Sequence, residues 1–195
     1  MDEVKTVVSR DGTTIAYARY GAGAADGPAV VLVGGAGAAG DGEAPLARLL
    51  ARSFPVFVYG RRGRDGSGYA VEREFEDLAA VLAAAGPGAA VHGSGAGGSL
   101  ALAAAAAGVP VAAVSVFEPP CEALGSLPEV HARVLVVDGG ASPAPVRRAA
   151  RELSALLPRA RHRTLTGQTH EVAPHVLAPV LAEFVAEVAE SAGPV

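Results

Sequence analysis

The stretch Ala89-Ala90-Val91-His92-Gly93-Ser94-Gly95-Ala96-Gly97-Gly98-Ser99-Leu100-Ala101-Leu102 constrains the fold of this chain more than any other. A short apolar run enters a glycine-dense turn and leaves as an alanine-rich helix. Strand, tight turn and helix in that order is how an α/β protein builds a site. The turn has two readings. It either presents a nucleophile at its apex, with glycine in the nucleophile's place, or it is a dinucleotide-binding Gly-x-Gly-x-x-Gly made by Gly93, Gly95 and Gly98.

The rest of the chain supplies similar units. Val4 to Val8 and Thr13 to Tyr20 alternate apolar and polar residues around Asp11-Gly12, which predicts an opening hairpin. Continuous apolar runs at Ala29–Val33, Val56–Tyr59, Val111–Phe117 and Arg133–Val137 read as strands covered on both faces, and Arg161–Leu165 as a last strand. Pro119 and Pro120 stop the third of these runs at Glu118. Helices are predicted over Glu43–Arg52, Val71–Ala85, Pro145–Leu157 and Ala178–Ser191; in the second, Phe75, Leu78 and Leu82 mark the inner face, with charges elsewhere. The expectation is one α/β domain over residues 1–195, with a mostly parallel sheet of about eight strands and helices on both faces. Ligands in such sheets bind at the carboxyl ends of the strands, so the residues that follow each strand are the ones to weigh.

Composition excludes several classes of partner. Sixteen Lys and Arg against 20 Asp and Glu give a net charge of −4, which favours neither nucleic acid nor an anionic membrane. No apolar run reaches the ~18 residues of a membrane helix. The opening Met1-Asp2-Glu3-Val4-Lys5 lacks the features of a signal peptide, and the single Cys121 suits a reducing compartment, so a cytoplasmic protein acting on a small molecule is expected. Arg61, Arg62 and Arg64 form a cluster suited to an anionic group; Arg159, Arg161 and Arg163 read as solvated surface charge.

Gly-Arg-Arg-Gly-Arg-Asp-Gly-Ser-Gly after one strand, Gly-Ser-Gly-Ala-Gly-Gly after the next, then Phe-Glu-Pro-Pro, Asp-Gly-Gly-Ala-Ser-Pro and Gly-Gln-Thr-His form an ordered series. In this order the chain resembles the α/β-hydrolase fold family, in particular small bacterial members. The resemblance implies a triad in the order nucleophile, acid, histidine. Gly93, Gly97 and Gly98 match the elbow glycines, which puts Gly95 at the nucleophile position and Ser94 one residue before it. The usual acid position holds Ser142; Glu118 and Asp138 are the substitutes, Glu118 being favoured as the residue that orients histidine. His170 matches the catalytic histidine. Backbone N–H groups of Ala36, beside Gly35, and of Ala96 are implied as an oxyanion pocket, with Arg61 nearby for substrate. The helical cap of relatives is missing, since only Cys121 to Ala132 follow Pro120. The pocket is therefore expected to be shallow and open, or closed by a second subunit.

Glycine at the nucleophile position leads to the expectation of an enzyme with an atypical catalytic triad. It would perform cofactor-free acid–base chemistry through His170, such as cyclisation, isomerisation, elimination or hydration of a small carbonyl compound. The alternatives are ester or lactone hydrolysis by Ser94, and small-molecule binding without catalysis. Dinucleotide binding ranks last, although Glu118 follows Gly98 at the spacing of a ribose-binding carboxylate. The fingerprint belongs in the first strand–helix unit of a domain, and Gly35-x-Gly37-x-x-Gly40 repeats it by chance in a chain with 25 glycines. No cofactor or metal is expected.

Overall fold

The computed structural model describes residues 3–21, 27–36, 42–62, 70–120 and 129–192. Gly37, Gly40, Arg64 and Cys121 lie outside these residues, as does 121–128, most of the short connection where the cap is expected to be missing.

The alternating residues at the start form an antiparallel hairpin, β1 (Glu3–Val8) and β2 (Thr14–Tyr20). Its turn is held by the Asp11 carboxylate, which accepts the Thr13 N–H at 3.0 Å. The apolar runs form β3 (Val30–Ala36), β4 (Val56–Arg61), β5 (Ala90–Ser94), β6 (Ala113–Phe117), β7 (Arg133–Gly139) and β8 (Ala160–Leu165). The eight strands make one sheet in the order β1-β2-β4-β3-β5-β6-β7-β8, parallel from β4 to β8.

Successive strand residues point to opposite faces, and each face has its own core. Val31, Val33, Val91, Val114, Val116 and Val136 pack under α2 (Val71–Ala85), α3 (Ala96–Ala106) and α4 (Ala144–Leu156). Leu32, Val58, Phe117, Leu135 and Val137 pack under α1 (Ala44–Leu50) and α5 (Pro174–Ala192). The mostly parallel sheet covered on both faces is the architecture the sequence predicts.

α5 begins at Pro174, not at the expected Ala178, and runs through Pro179. Pro174 suits a first turn, where no N–H is needed. Pro179 forfeits its bond to the carbonyl four residues back, but Leu177, Leu181 and Phe184 bury the helix against the sheet and α1 and hold it through that gap.

Candidate active site

The turn between β5 and α3 is built by close approach. A Cβ on Gly93 would stand 2.4 Å from the backbone of Gly97, one on Gly97 2.6 Å from the Val33 carbonyl, and one on Gly98 2.7 Å from the Gly93 carbonyl. Only glycine lets α3 close onto β5 and β3 this tightly. Gly95, the N-cap of α3, has φ +51° and ψ −125°, a conformation costly to any side-chain-bearing residue. Among the described residues a Cβ there would meet only His170, at 3.7 Å from Cε1 and 3.8 Å from Nε2.

His170 reaches this point from the loop after β8. That loop is seated over Gly139, where any Cβ would come within 2.4 Å of the Gln168 carbonyl. The Gln168 carbonyl accepts the Ala141 N–H at 2.9 Å, and its side-chain oxygen accepts the Ala173 N–H at 2.9 Å. His170 Nδ1 lies 3.0 Å from Glu118 Oε2, while Glu118 Oε1 accepts the Gly139 N–H at 2.8 Å. The Glu118 side chain is 1 % exposed and that of His170 67 % exposed. Glu118 has φ +44°, the left-handed region, and among the described residues it is the one non-glycine to do so. Strain of this kind persists where surroundings fix a functional side chain. With Nδ1–H donated to Glu118, the Nε2 lone pair of His170 faces the turn.

Two other candidates, Asp138 and Arg61, are engaged elsewhere. Asp138, fully buried at the end of β7, is turned to His162, with Oδ2 3.1 Å from Nε2. Ser142 is buried, and its hydroxyl has no partner among the described residues. Ala36 ends β3 and pairs with Arg61 of β4, after a register shift between Val33 and Ala36. Ala96 is the first residue of α3, where backbone N–H groups leave the helix end without a helical partner. Arg61 is not presented to a ligand cluster: it is 7 % exposed, with Nε and a terminal nitrogen each 2.7 Å from the Glu74 carboxylate on α2. Arg62 is paired with Asp77 and Asp11.

The sequence reading missed one group at the turn. His92, 4 % exposed, lies with Nε2 3.4 Å from Ser94 Oγ and Nδ1 3.2 Å from Ser115 Oγ. Burial pushes its imidazole down to about 4, against a smaller opposing effect from the Ser115 backbone, so the ring is neutral at neutral pH. Ser94 itself is exposed at the end of β5, beside Phe117 in register. Ala-Val-His and Ala-Val-Ser pair residue for residue across β5 and β6, His92 with Ser115, a pairing that the register alone reveals.

No family model matches the chain, and no curated protein sequence does. Among solved structures, an α/β hydrolase from Sphaerobacter thermophilus is 37 % identical, with a TM-score of 0.81 over 92 % of this chain and 99 % of that one. The chain belongs to the α/β-hydrolase family. A dienelactone hydrolase from Anabaena variabilis (18 % identity, TM-score 0.80, 96 % and 97 % covered) and a thermophilic esterase from Thermogutta terrifontis (14 %, 0.77, 96 % and 99 %) share the fold.

Membership of this α/β-hydrolase family overturns the expectation of a non-hydrolytic enzyme with an atypical triad performing cyclisation, isomerisation, elimination or hydration. That expectation rested on glycine at position 95 with His170 and the oxyanion turns retained around it. Losing one side chain from the turn does not remove the hydroxyl of the adjacent Ser94, and hydrolysis takes precedence. Among the described residues no helix is long and apolar enough to cross a membrane, and no cluster of three His, Cys, Asp or Glu could hold a metal ion.

Proposed function

We propose that this α/β hydrolase cleaves a carboxylic ester or lactone of a small substrate, with Ser94 as nucleophile and the Glu118–His170 pair moving protons. One observation carries the reading: a buried carboxylate holds His170 Nδ1 at 3.0 Å, aiming Nε2 at the turn that bears Ser94. A hydrolase at 37 % identity supports the class, and the esterase and dienelactone hydrolase names of more distant structures suit its substrates.

In this scheme Ser94 Oγ attacks the acyl carbon and the carbonyl oxygen is received by the N–H groups of Ala36 and Ala96. The alcohol leaves with the proton given up by the Ser94 hydroxyl, and water crosses the bare Gly95 to attack the acyl-serine. His170 Nε2 takes a proton from that water, while Glu118 stabilises the imidazolium and keeps the ring in place. The proton then passes to Ser94 Oγ as the acid departs. Short-chain p-nitrophenyl esters and small lactones are the substrates to offer. Ser94→Ala is expected to bring hydrolysis down by roughly 10³-fold or more. Wild-type kcat/KM in that variant would sink the assignment.

A further inference from the structure

Ser94 has a second histidine behind it that the scheme above leaves idle. His92 and Ser94 are two residues apart on β5, so their side chains leave the same face of the sheet. The register with β6 brings Ser115 alongside His92, and each ring nitrogen of His92 has a serine hydroxyl within 3.4 Å. His92 and Ser115 are buried, at 4 % and 3 % exposed, whereas Ser94 is open to solvent. An accessible hydroxyl, an imidazole in reach and a third group on its far nitrogen is an arrangement that activates a nucleophile.

We infer, resting on the ester or lactone hydrolysis proposed above, that His92 is the base that takes the Ser94 hydroxyl proton when the acyl-enzyme forms, and that Ser115 orients its ring. With the ring proton on Nδ1, toward Ser115, the Nε2 lone pair faces Ser94. The ring is neutral at neutral pH, so that lone pair is available. Burial makes a lasting imidazolium costly, and the proton is therefore handed on. It passes from Oγ to Nε2 as the Oγ–carbon bond forms, then from Nε2 to the leaving oxygen as the ester bond breaks. The products are acyl-Ser94, the alcohol and neutral His92. The 3.4 Å contact is long for a hydrogen bond, as catalytic contacts often are before substrate tightens them. The two histidines divide the reaction: His92 serves acylation at Ser94, and His170 serves the water that crosses Gly95.

The test measures the rate at which a fluorophosphonate labels Ser94, which reports acylation alone, beside steady-state p-nitrophenyl acetate hydrolysis. His92→Gln keeps a hydrogen-bonding group near the Nε2 position but no base. It is expected to slow labelling roughly 10²- to 10⁴-fold. His170→Ala is expected to label within a few-fold of wild type and to release one equivalent of nitrophenol in a burst before stalling. Labelling at the wild-type rate in His92→Gln, with loss of labelling in His170→Ala, overturns the inference and leaves hydrolysis by Ser94 standing. A wild-type protein that takes no label at Ser94 overturns both. If His92→Gln shows no cooperative thermal melt, Ser115→Ala replaces it. There labelling is expected to slow about tenfold, in keeping with loss of an orienting group, and an unchanged rate overturns the inference.

Discussion

At Gly95 the backbone adopts φ +51°, yet among the described residues the space beyond its Cα is bounded only by His170. Gly95→Ser is therefore expected to fold, at a cost of about 1–3 kcal/mol for the strained conformation. Its hydroxyl would come into reach of His170 Nε2, raising kcat/KM for p-nitrophenyl acetate about tenfold or more and moving the fluorophosphonate adduct to position 95. Gly97→Ala, whose Cβ would lie 2.6 Å from the Val33 carbonyl, is expected to lose the fold instead, read by circular dichroism. His92 gives a pH dependence of known sign. Above pH 6.5 it is neutral whether the chain is folded or not. As the pH falls from 6.5 toward about 4, the unfolded chain takes up a proton that the folded one refuses. Stability drops by about 3 kcal/mol over that window, and His92→Gln should flatten that part of a urea-midpoint-against-pH curve. Glu118 and His170 were legible in the sequence because each follows a strand at a position the family marks. His92 was not, because a histidine within an apolar run reads as core until its neighbour across the sheet is known.

At the scale of the element, α2 shows where periodicity suffices and where it fails. Phe75, Leu78 and Leu82 foretell its ends and its inner face, and the helix spans Val71–Ala85 as read. Its charges were assigned to the outside, but Glu74 and Asp77 are buried. They turn inward because Arg61 and Arg62, at the end of β4, come down on them from 13 and 15 residues away. No local pattern contains that pairing. It also explains why Arg61 is spoken for: its guanidinium is locked in two bonds to one carboxylate. Glu74→Ala removes that carboxylate from a buried guanidinium and is expected to cost about 3–5 kcal/mol in urea unfolding. Arg163→Ala, which breaks an exposed pair with Glu183, is expected to cost less than about 1 kcal/mol. Equal losses would mean that burial does not set the difference. The early start of α5 was hidden for a related reason: Pro179 reads as a breaker, and only the packing of Leu177 and Leu181 against the sheet and α1 carries the helix across it.

For the whole molecule, the parallel sheet decides where chemistry can occur. Ala36, Ser94, Glu118 and His170 are far apart in sequence, yet each follows or ends a strand whose carboxyl end points the same way. That convergence follows from the topology, and the order of segments was enough to foresee it. The strand order has a consequence for how the protein fails. β5, with Ser94, lies between β3 and β6 in the interior of the sheet, whereas His170 hangs from the loop after β8, which forms the sheet's outer edge. Edges open at lower free energy than centres. Mild urea should therefore separate two events that a thermal melt merges: p-nitrophenyl acetate turnover should stop while the far-ultraviolet signal is still native, with the acyl group stranded on Ser94 and detectable by mass. The rim of the sheet would then act as a fuse for the enzyme, one that blows by leaving the first half of the reaction intact.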